Sequence, residues 1–357
     1  MKQDKVKVKL SGRSASMLGC LWGRAQVSKE YSSLFYDAKA IELAEKIDYV
    51  PDFSACCDVP LFQDIMFDLF HEINLLGPFT LRIKQFDDKI RAYIAEHPYA
   101  SVICLAAGLD ATFYRVDNGL IHWYDLDLPA VIDVRKQLLP EPDRVTYIAQ
   151  SLLDPNWCKD INADNGVFMI AGGVFMWLEK SQVQQFFSML ADNFPDGEIV
   201  FDAMSRSDND FGGTWIDRLS QEQRNTMRAA LVEALKDWWK KAPQDQKDKV
   251  NDMIATLKIP TKPKGKEWSD LEAWWNQLSD KEVEEALRGF MTFHRGGVGT
   301  WALEDASEFT KWNNRITVID QFPMFENIPR DSLSADMRRA LDYGDESGRY
   351  TIIHLRV

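Results

Sequence analysis

The run Ser101-Val102-Ile103-Cys104-Leu105, which continues into Ala106-Ala107-Gly108-Leu109-Asp110, constrains the architecture of this 357-residue chain more than any other stretch. A short apolar run rich in β-branched residues and closed by a turn signal reads as a buried strand of a parallel sheet. The small residues after it let the backbone come close to a ligand at the strand's carboxyl end, where open α/β sheets bind their ligands. A second strand, Ile121-His122-Trp123-Tyr124, leads into Asp125-Leu126-Asp127-Leu128-Pro129. A glycine turn after one strand and an acid after the next is the layout of a nucleoside site, with the acid accepting hydrogen bonds from ribose hydroxyls.

The surrounding pattern agrees. Strands are predicted at 101–106, 121–125, 145–149, 167–171 and 198–202, with helices near 128–138 and 180–193 between them. Such alternation implies a doubly wound, mostly parallel sheet. Upstream, helical spacing covers Asp37 to Ile47 and Pro60 to Leu76, the latter stopped by Gly77-Pro78, and then Arg82 to Glu96. The rhythm breaks at Ser205. Residues 205–299 read as a charged helical insertion with amphipathic pieces at 219–241, 244–257 and 268–290 and a loop at Pro260–Gly265. Six of the twelve tryptophans lie there (Trp215, Trp238, Trp239, Trp268, Trp274 and Trp275), which reads first as the core of a small subdomain and second as the lining of a substrate cavity under a lid. The α/β pattern returns over 300–357, with a helix at 305–312, a strand at 315–322, a helix at 333–343 and a strand at 350–357. Three parts follow: 1–204, 205–299 and 300–357.

Composition narrows the partners. A formal charge of −13 disfavours nucleic acid or an anionic membrane as the main partner. Five cysteines without a CxxC argue for a reducing compartment, and the scattered histidines form no metal-binding spacing. No apolar run has membrane-spanning length, and the basic start leads into no signal-type apolar core. A cytoplasmic protein acting on a small molecule is expected, with its oligomeric state left open.

A nicotinamide cofactor, a nucleotide or S-adenosylmethionine fits a nucleoside-binding sheet. The first two carry phosphates, which call for GxGxxG or GxxxxGK[ST] leading into a helix. Neither occurs after the first strand, and Asp110 would repel a pyrophosphate. A cationic sulfonium ligand tolerates that acid, so the residues lean towards S-adenosylmethionine.

The set Arg82-x4-Asp87, Ala107-Gly108-Leu109-Asp110-x-Thr112-Phe113-Tyr114-Arg115, Asp127-Leu128-Pro129 with Arg135-Lys136, Ser151-Leu152-Leu153-Asp154 and Ala171-x-Gly173-Val174 resembles the leucine carboxyl methyltransferase family, and within it the bacterial polyketide branch. The resemblance covers most of 15–205 and resumes around 301–342. It implies a class I methyltransferase fold, a seven-stranded sheet with an antiparallel last strand, and methylation of a carboxylate or hydroxyl oxygen. By the same resemblance, Arg82 holds the methionine carboxylate of the cofactor. Ala107, Gly108 and Asp110 form the turn at its methionine end, Asp127 with Leu128 takes the ribose side, and Ser151 and Leu152 contact the adenine. Arg24 aligns loosely with a basic residue near the carboxylate, and Arg115 reads as a structural ion-pair partner. Asp127 is also expected to cap the following helix.

Three positions depart from the family pattern. Ala106 replaces a glycine, Ala111 a threonine, and Gly172 an acid near the methionine amino group. Alanine at 106 is cheap at negative φ and disabling at positive φ. Restoring the acid with Gly172→Glu is expected to tighten cofactor binding. These departures keep open a second reading, a non-catalytic relative that binds a ligand or a partner protein through a degenerate pocket.

For chemistry, the segment His294-Arg295-Gly296-Gly297 returns from the insertion to the sheet. Arg295 is a candidate for steering a carboxylate acceptor, and His294 for removing a proton from a hydroxyl acceptor.

Overall fold

The computed structural model describes residues 5–8, 14, 16–48, 76–205, 220–283, 285–286, 301–303, 305–346, 348 and 350–357. Seven strands form one sheet: β1 Ser101–Leu105, β2 His122–Asp127, β3 Val145–Ala149, β4 Val167–Ala171, β5 Glu198–Met204, β6 Thr317–Pro323 and β7 Tyr350–Arg356. Their order is β3-β2-β1-β4-β5-β7-β6. Pairings from β3 across to β5 are parallel, and β7 runs antiparallel to both β5 and β6. This is the doubly wound, seven-stranded sheet that the strand pattern and the resemblance implied. Its topological switch lies between β1 and β4, the place where such sheets hold ligands.

The strands are apolar on both faces because helices cover both. Val102 and Cys104 point to one core with Trp123, Ile170, Val200 and Phe86, while Ile103 and Leu105 point to the other with Leu126, Ala171, Phe187 and Phe201. A one-residue alternation along each strand sorts the side chains into these two layers.

Helices α1 Ser16–Glu30, α2 Ala38–Lys46 and α3 Leu76–Glu96 precede the sheet. Gly77-Pro78 lies in the first turn of α3, so the helix expected from Arg82 opens earlier than the pattern implied. The first turn's N–H groups have no intrahelical acceptor, so a proline costs nothing there and pre-sets φ. The preceding segment, 60–75, lies outside the described residues. Beyond β1 come α4 Phe113–Val116, α5 Pro129–Leu138 and α6 Lys180–Asn193.

In the insertion, α7 Gln221–Lys241, α8 Gln244–Thr256 and α9 Trp268–Gln277 match the three predicted pieces, but α9 is shorter than the expected 268–290. The backbone leaves the helix at Leu278-Ser279, where the Ser279 N–H and hydroxyl both donate to Glu282. Trp239, Trp274 and Trp275 are buried, as a packing role requires. Trp215 and the side chain of Trp238 lie outside the described residues. The chain returns through α10 Ser307–Trp312 and α11 Ala335–Glu346, which flank β6. No helix among the described residues is long and apolar enough to cross a membrane.

Candidate functional site: the carboxyl edge of β1, β2 and β4

The turn after β1 is built on positive backbone angles. Ala106 has φ +52° and Gly108 has φ +51°. The turn closes with Ala107 N–H donating to Leu126 O at 3.1 Å and Asp110 N–H to Ala107 O at 2.8 Å. A left-handed alanine costs about 1–2 kcal/mol, so the expectation that a positive φ would disable this turn is corrected: the turn forms and carries the strain. The Ala106 methyl is exposed and gives up no packing if removed. Ala106→Gly therefore relieves that strain, less about 0.5–1 kcal/mol for the looser unfolded chain. The expected net gain is about 0.5–1 kcal/mol, read as a higher urea midpoint, and a lower midpoint would refute it. Ala111 is fully buried beneath the same turn.

Asp127 holds the turn from the neighbouring strand. Its Oδ2 accepts from Gly108 N–H at 2.8 Å and its Oδ1 from Leu128 N–H at 2.7 Å. Burial pushes this carboxyl above the ordinary aspartate range, against the pull of those two donors. The expected helix-capping role is corrected: Leu128 occupies the N-cap of α5, no side chain caps it, and Pro129 follows at the first position. Leu128 is 47% exposed beside the acid, an apolar surface left open at the sheet edge.

Beneath the turn lie two buried charge clusters. Arg135 donates to Asp125 Oδ2 at 2.5 Å and to Gly108 O at 3.0 Å, and Trp123 Nε1 donates to Asp125 Oδ1 at 2.8 Å. Burial pushes Asp125 up to about 6, ahead of the opposing pull of Arg135. The second cluster joins the N-terminal helices to the turn. Arg115 donates to both oxygens of Asp87 (2.8 and 3.0 Å), to Asp37 (2.6 Å) and to Thr112 Oγ1 (2.6 Å). Arg24 pairs with Asp37 at 3.2 Å and donates to Leu109 O at 2.6 Å. Burial alone would lower Arg115, but Asp87, Asp110 and Asp37 overrule it and hold the guanidinium charged. Burial likewise works to raise Asp110, and Arg115, Arg24 and the Thr112 hydrogen bond bring it below its ordinary value instead.

Arg115 is thus the structural partner expected, and Arg24 is engaged in the same buried cluster. It is 3% exposed and its contacts are Asp37 and a backbone carbonyl. Asp110 uses Oδ1 to accept from Thr112 N–H at 2.6 Å, shaping the turn.

Across the sheet, Arg82 on α3 reaches the end of β4. Its Nη2 lies 3.0 Å from where a side chain on Gly173 would begin, and its Nε lies 3.5 Å from Asp202 Oδ2. That Nε is buried and makes no hydrogen bond. Gly172 is exposed at the same edge. Ser151 and Leu152 follow β3; Ser151 Oγ accepts from Leu153 N–H at 3.3 Å and Leu152 O from Trp157 Nε1 at 3.1 Å, which pins that loop.

The structure therefore lines Leu152 and Ser151, Asp127 and Leu128, Ala107 and Gly108, then Gly172 and Arg82 along the carboxyl ends of β3, β2, β1 and β4. Two inter-strand spacings, about 10 Å, separate the ends of β2 and β4. Such a row fits an adenosyl amino acid: an apolar shelf and an acid at one end, an arginine with an unsatisfied buried Nε at the other, and a close-approach turn between. His294 and Arg295 lie outside the described residues.

Residues 18–191 match the family model described as leucine carboxyl methyltransferase. Over that stretch the chain is similar to the leucine carboxyl methyltransferase family. The family and its relatives make it an S-adenosylmethionine-dependent methyltransferase. The tetracenomycin polyketide synthesis O-methyltransferase TcmP of Streptomyces glaucescens is 28% identical over 198 residues, covering 55% of this chain and 68% of that one. The S-adenosyl-L-methionine-dependent methyltransferase dpfgK of Gibberella zeae is 26% identical over 222 residues, covering 56% and 69%. Among solved structures, a DUF574 family protein from Streptomyces avermitilis aligns over 97% of both chains with a TM-score of 0.47 and 9% identity. PKMT2 from Rickettsia typhi aligns with a TM-score of 0.37 and 13% identity over 74% of this chain, which spans about half (51%) of that protein's length.

Sequence reasoning missed three residues of this edge. Asp202 is an acid near the end of the apolar strand Ile199-Val200-Phe201, and an acid so placed is itself a signal. Phe86 packs against Gly172, with its Cε2 2.9 Å from where a side chain would begin. Met17 of α1 covers Gly108, its Cβ 3.1 Å from the corresponding point. Neither contact has a sequence signal. The Phe86 ring also revises the Gly172→Glu expectation, because a new side chain must displace a buried ring before it can meet a ligand.

Proposed function

We propose that the protein transfers the methyl group of S-adenosylmethionine to a carboxylate or hydroxyl oxygen of a small molecule. The observation that carries this is the Asp127 carboxylate bonded to the Gly108 turn beside an open Leu128, with Arg82 two strands away. In this reading Asp127 accepts from the ribose hydroxyls, and Leu128, Ser151 and Leu152 flank the adenine. Gly108 and Ala107 admit the backbone of the turn to close approach, while Asp110 shapes it. Arg82 binds the methionine carboxylate with its guanidinium fork. The cofactor supplies an electrophilic methyl on a sulfonium.

Displacement needs the acceptor oxygen in line with that methyl, and the chain contributes orientation and exclusion of water. A carboxylate acceptor is ionised at neutral pH and needs only steering, a role that falls to Arg295. A hydroxyl acceptor needs a base, and His294 has a suitable intrinsic pKa. The polyketide role of TcmP favours a small-molecule acceptor over a protein terminus.

Calorimetry with S-adenosylmethionine and S-adenosylhomocysteine tests the cofactor half, and heat with both is expected. No heat with either would select the degenerate, non-catalytic reading. Incubating the protein with methyl-labelled cofactor and a small-molecule extract tests the chemistry. Label released as volatile methanol in mild base marks a carboxyl ester, and base-stable label marks an ether. Label found only in protein, or on nitrogen, would overturn the proposal.

A further inference from the structure

The family resemblance implies an acid at the end of β4 that meets the cofactor's amino group, and this chain has Gly172 there. The Phe86 ring, itself 3% exposed, lies 2.9 Å from where a Gly172 side chain would begin. Helix α3 packs so close here that only glycine fits without moving it. A carboxylate is nevertheless present at this level of the sheet. In the parallel pairing of β4 with β5, Ala171 is opposite Phe201. One step further on, Asp202 stands level with Gly172, about one strand spacing of 4.8 Å away.

The two positions also share a face. Ile170 and Val200 point into the core beneath α3, whereas Ala171 and Phe201 point to the opposite one. Alternation therefore turns both Gly172 and Asp202 towards α3, the side on which Arg82 sits. There Asp202 Oδ1 accepts from Gly173 N–H at 2.5 Å, and Oδ2 lies 3.5 Å from Arg82 Nε. Its side chain is 10% exposed and that of Arg82 is 15% exposed, so both reach the open edge. A carboxylate has about four lone-pair directions, and the Gly173 bond takes one of them.

We propose that Asp202 binds the ammonium group of the cofactor's methionine end, replacing from β5 the acid absent from β4. This rests on the cofactor reading above. Arg82 and Asp202 then form a matched pair: the guanidinium takes the α-carboxylate, and the aspartate takes the α-ammonium beside it. The 3.5 Å ion pair positions each for its own partner.

The test is a binding cycle by calorimetry with three probes: S-adenosylhomocysteine, its deaminated analogue that keeps the carboxylate, and methylthioadenosine, which lacks the whole amino-acid end. Wild-type protein is expected to bind S-adenosylhomocysteine about ten- to a hundredfold tighter than the deaminated analogue, the span of one charge-assisted hydrogen bond. Asp202→Asn, which keeps an oxygen for Gly173 N–H, is expected to abolish that preference and leave methylthioadenosine affinity within about twofold of wild type. Equal affinity of the wild type for the first two probes would overturn the proposal without any variant. So would an Asp202→Asn protein that weakens both equally, because that result describes an aspartate acting only through Arg82. If wild-type protein binds none of the three, the cofactor reading itself fails.

Discussion

Replacing Arg115 by leucine is expected to lower the unfolding free energy by about 3–5 kcal/mol, the usual consequence of removing one partner of a buried ion pair. The arginine is 7% exposed and divides its fork between Asp87 and Asp37, which are 4% and 1% exposed. Leucine would leave Asp87 without its charged donor and Asp37 to Arg24 alone, and would strip Thr112 Oγ1 of its contact. Urea unfolding of the two proteins measures the difference. As a comparison, Arg315→Leu removes an arginine that is half exposed and paired with exposed Asp192, where a change below about 1 kcal/mol is expected. Similar small losses in both variants would mean that the Arg115 cluster is solvated.

Asp127→Ala is expected to weaken S-adenosylhomocysteine binding by about two to three decades. Two contributions add. Loss of a charged acceptor for the ribose is worth about 1.5–3 kcal/mol, or one to two decades. The Gly108 and Leu128 N–H groups also lose their shared acceptor, which loosens the turn against which the ligand packs. Affinity within about threefold of wild type, by calorimetry on a folded variant, would place the ribose elsewhere.

Much of this edge was legible because parallel strands advertise themselves. Ser101–Leu105 and Val167–Ala171 are buried throughout and read as unbroken apolar runs. Gly108 and Asp127 were visible as a turn and an acid at the right separation, and the structure joins them by a hydrogen bond. Arg82 needed the family resemblance, since an arginine in a helix has no local mark of function. Helix starts were less readable: Gly77-Pro78 has the same letters whether it ends one helix or opens the next. The Phe86–Gly172 contact was out of reach for a different reason. It depends on how closely α3 approaches β4, a distance fixed by packing between segments far apart in the chain. Asp202 stayed in the background until the register of β4 against β5 set it level with Gly172.

The position of β7 has a consequence for how the protein is made. Although last in sequence, it lies between β5 and β6 and supplies ladder partners to both. A nascent chain that has emerged from the ribosome as far as β6 can assemble β3, β2, β1, β4 and β5, but β6 has no strand to dock on. Until residues 350–356 arrive, β5 presents an open hydrogen-bonding edge, the kind of surface that recruits other chains. Closure of the sheet therefore waits on β7, however much of the chain has been made before it.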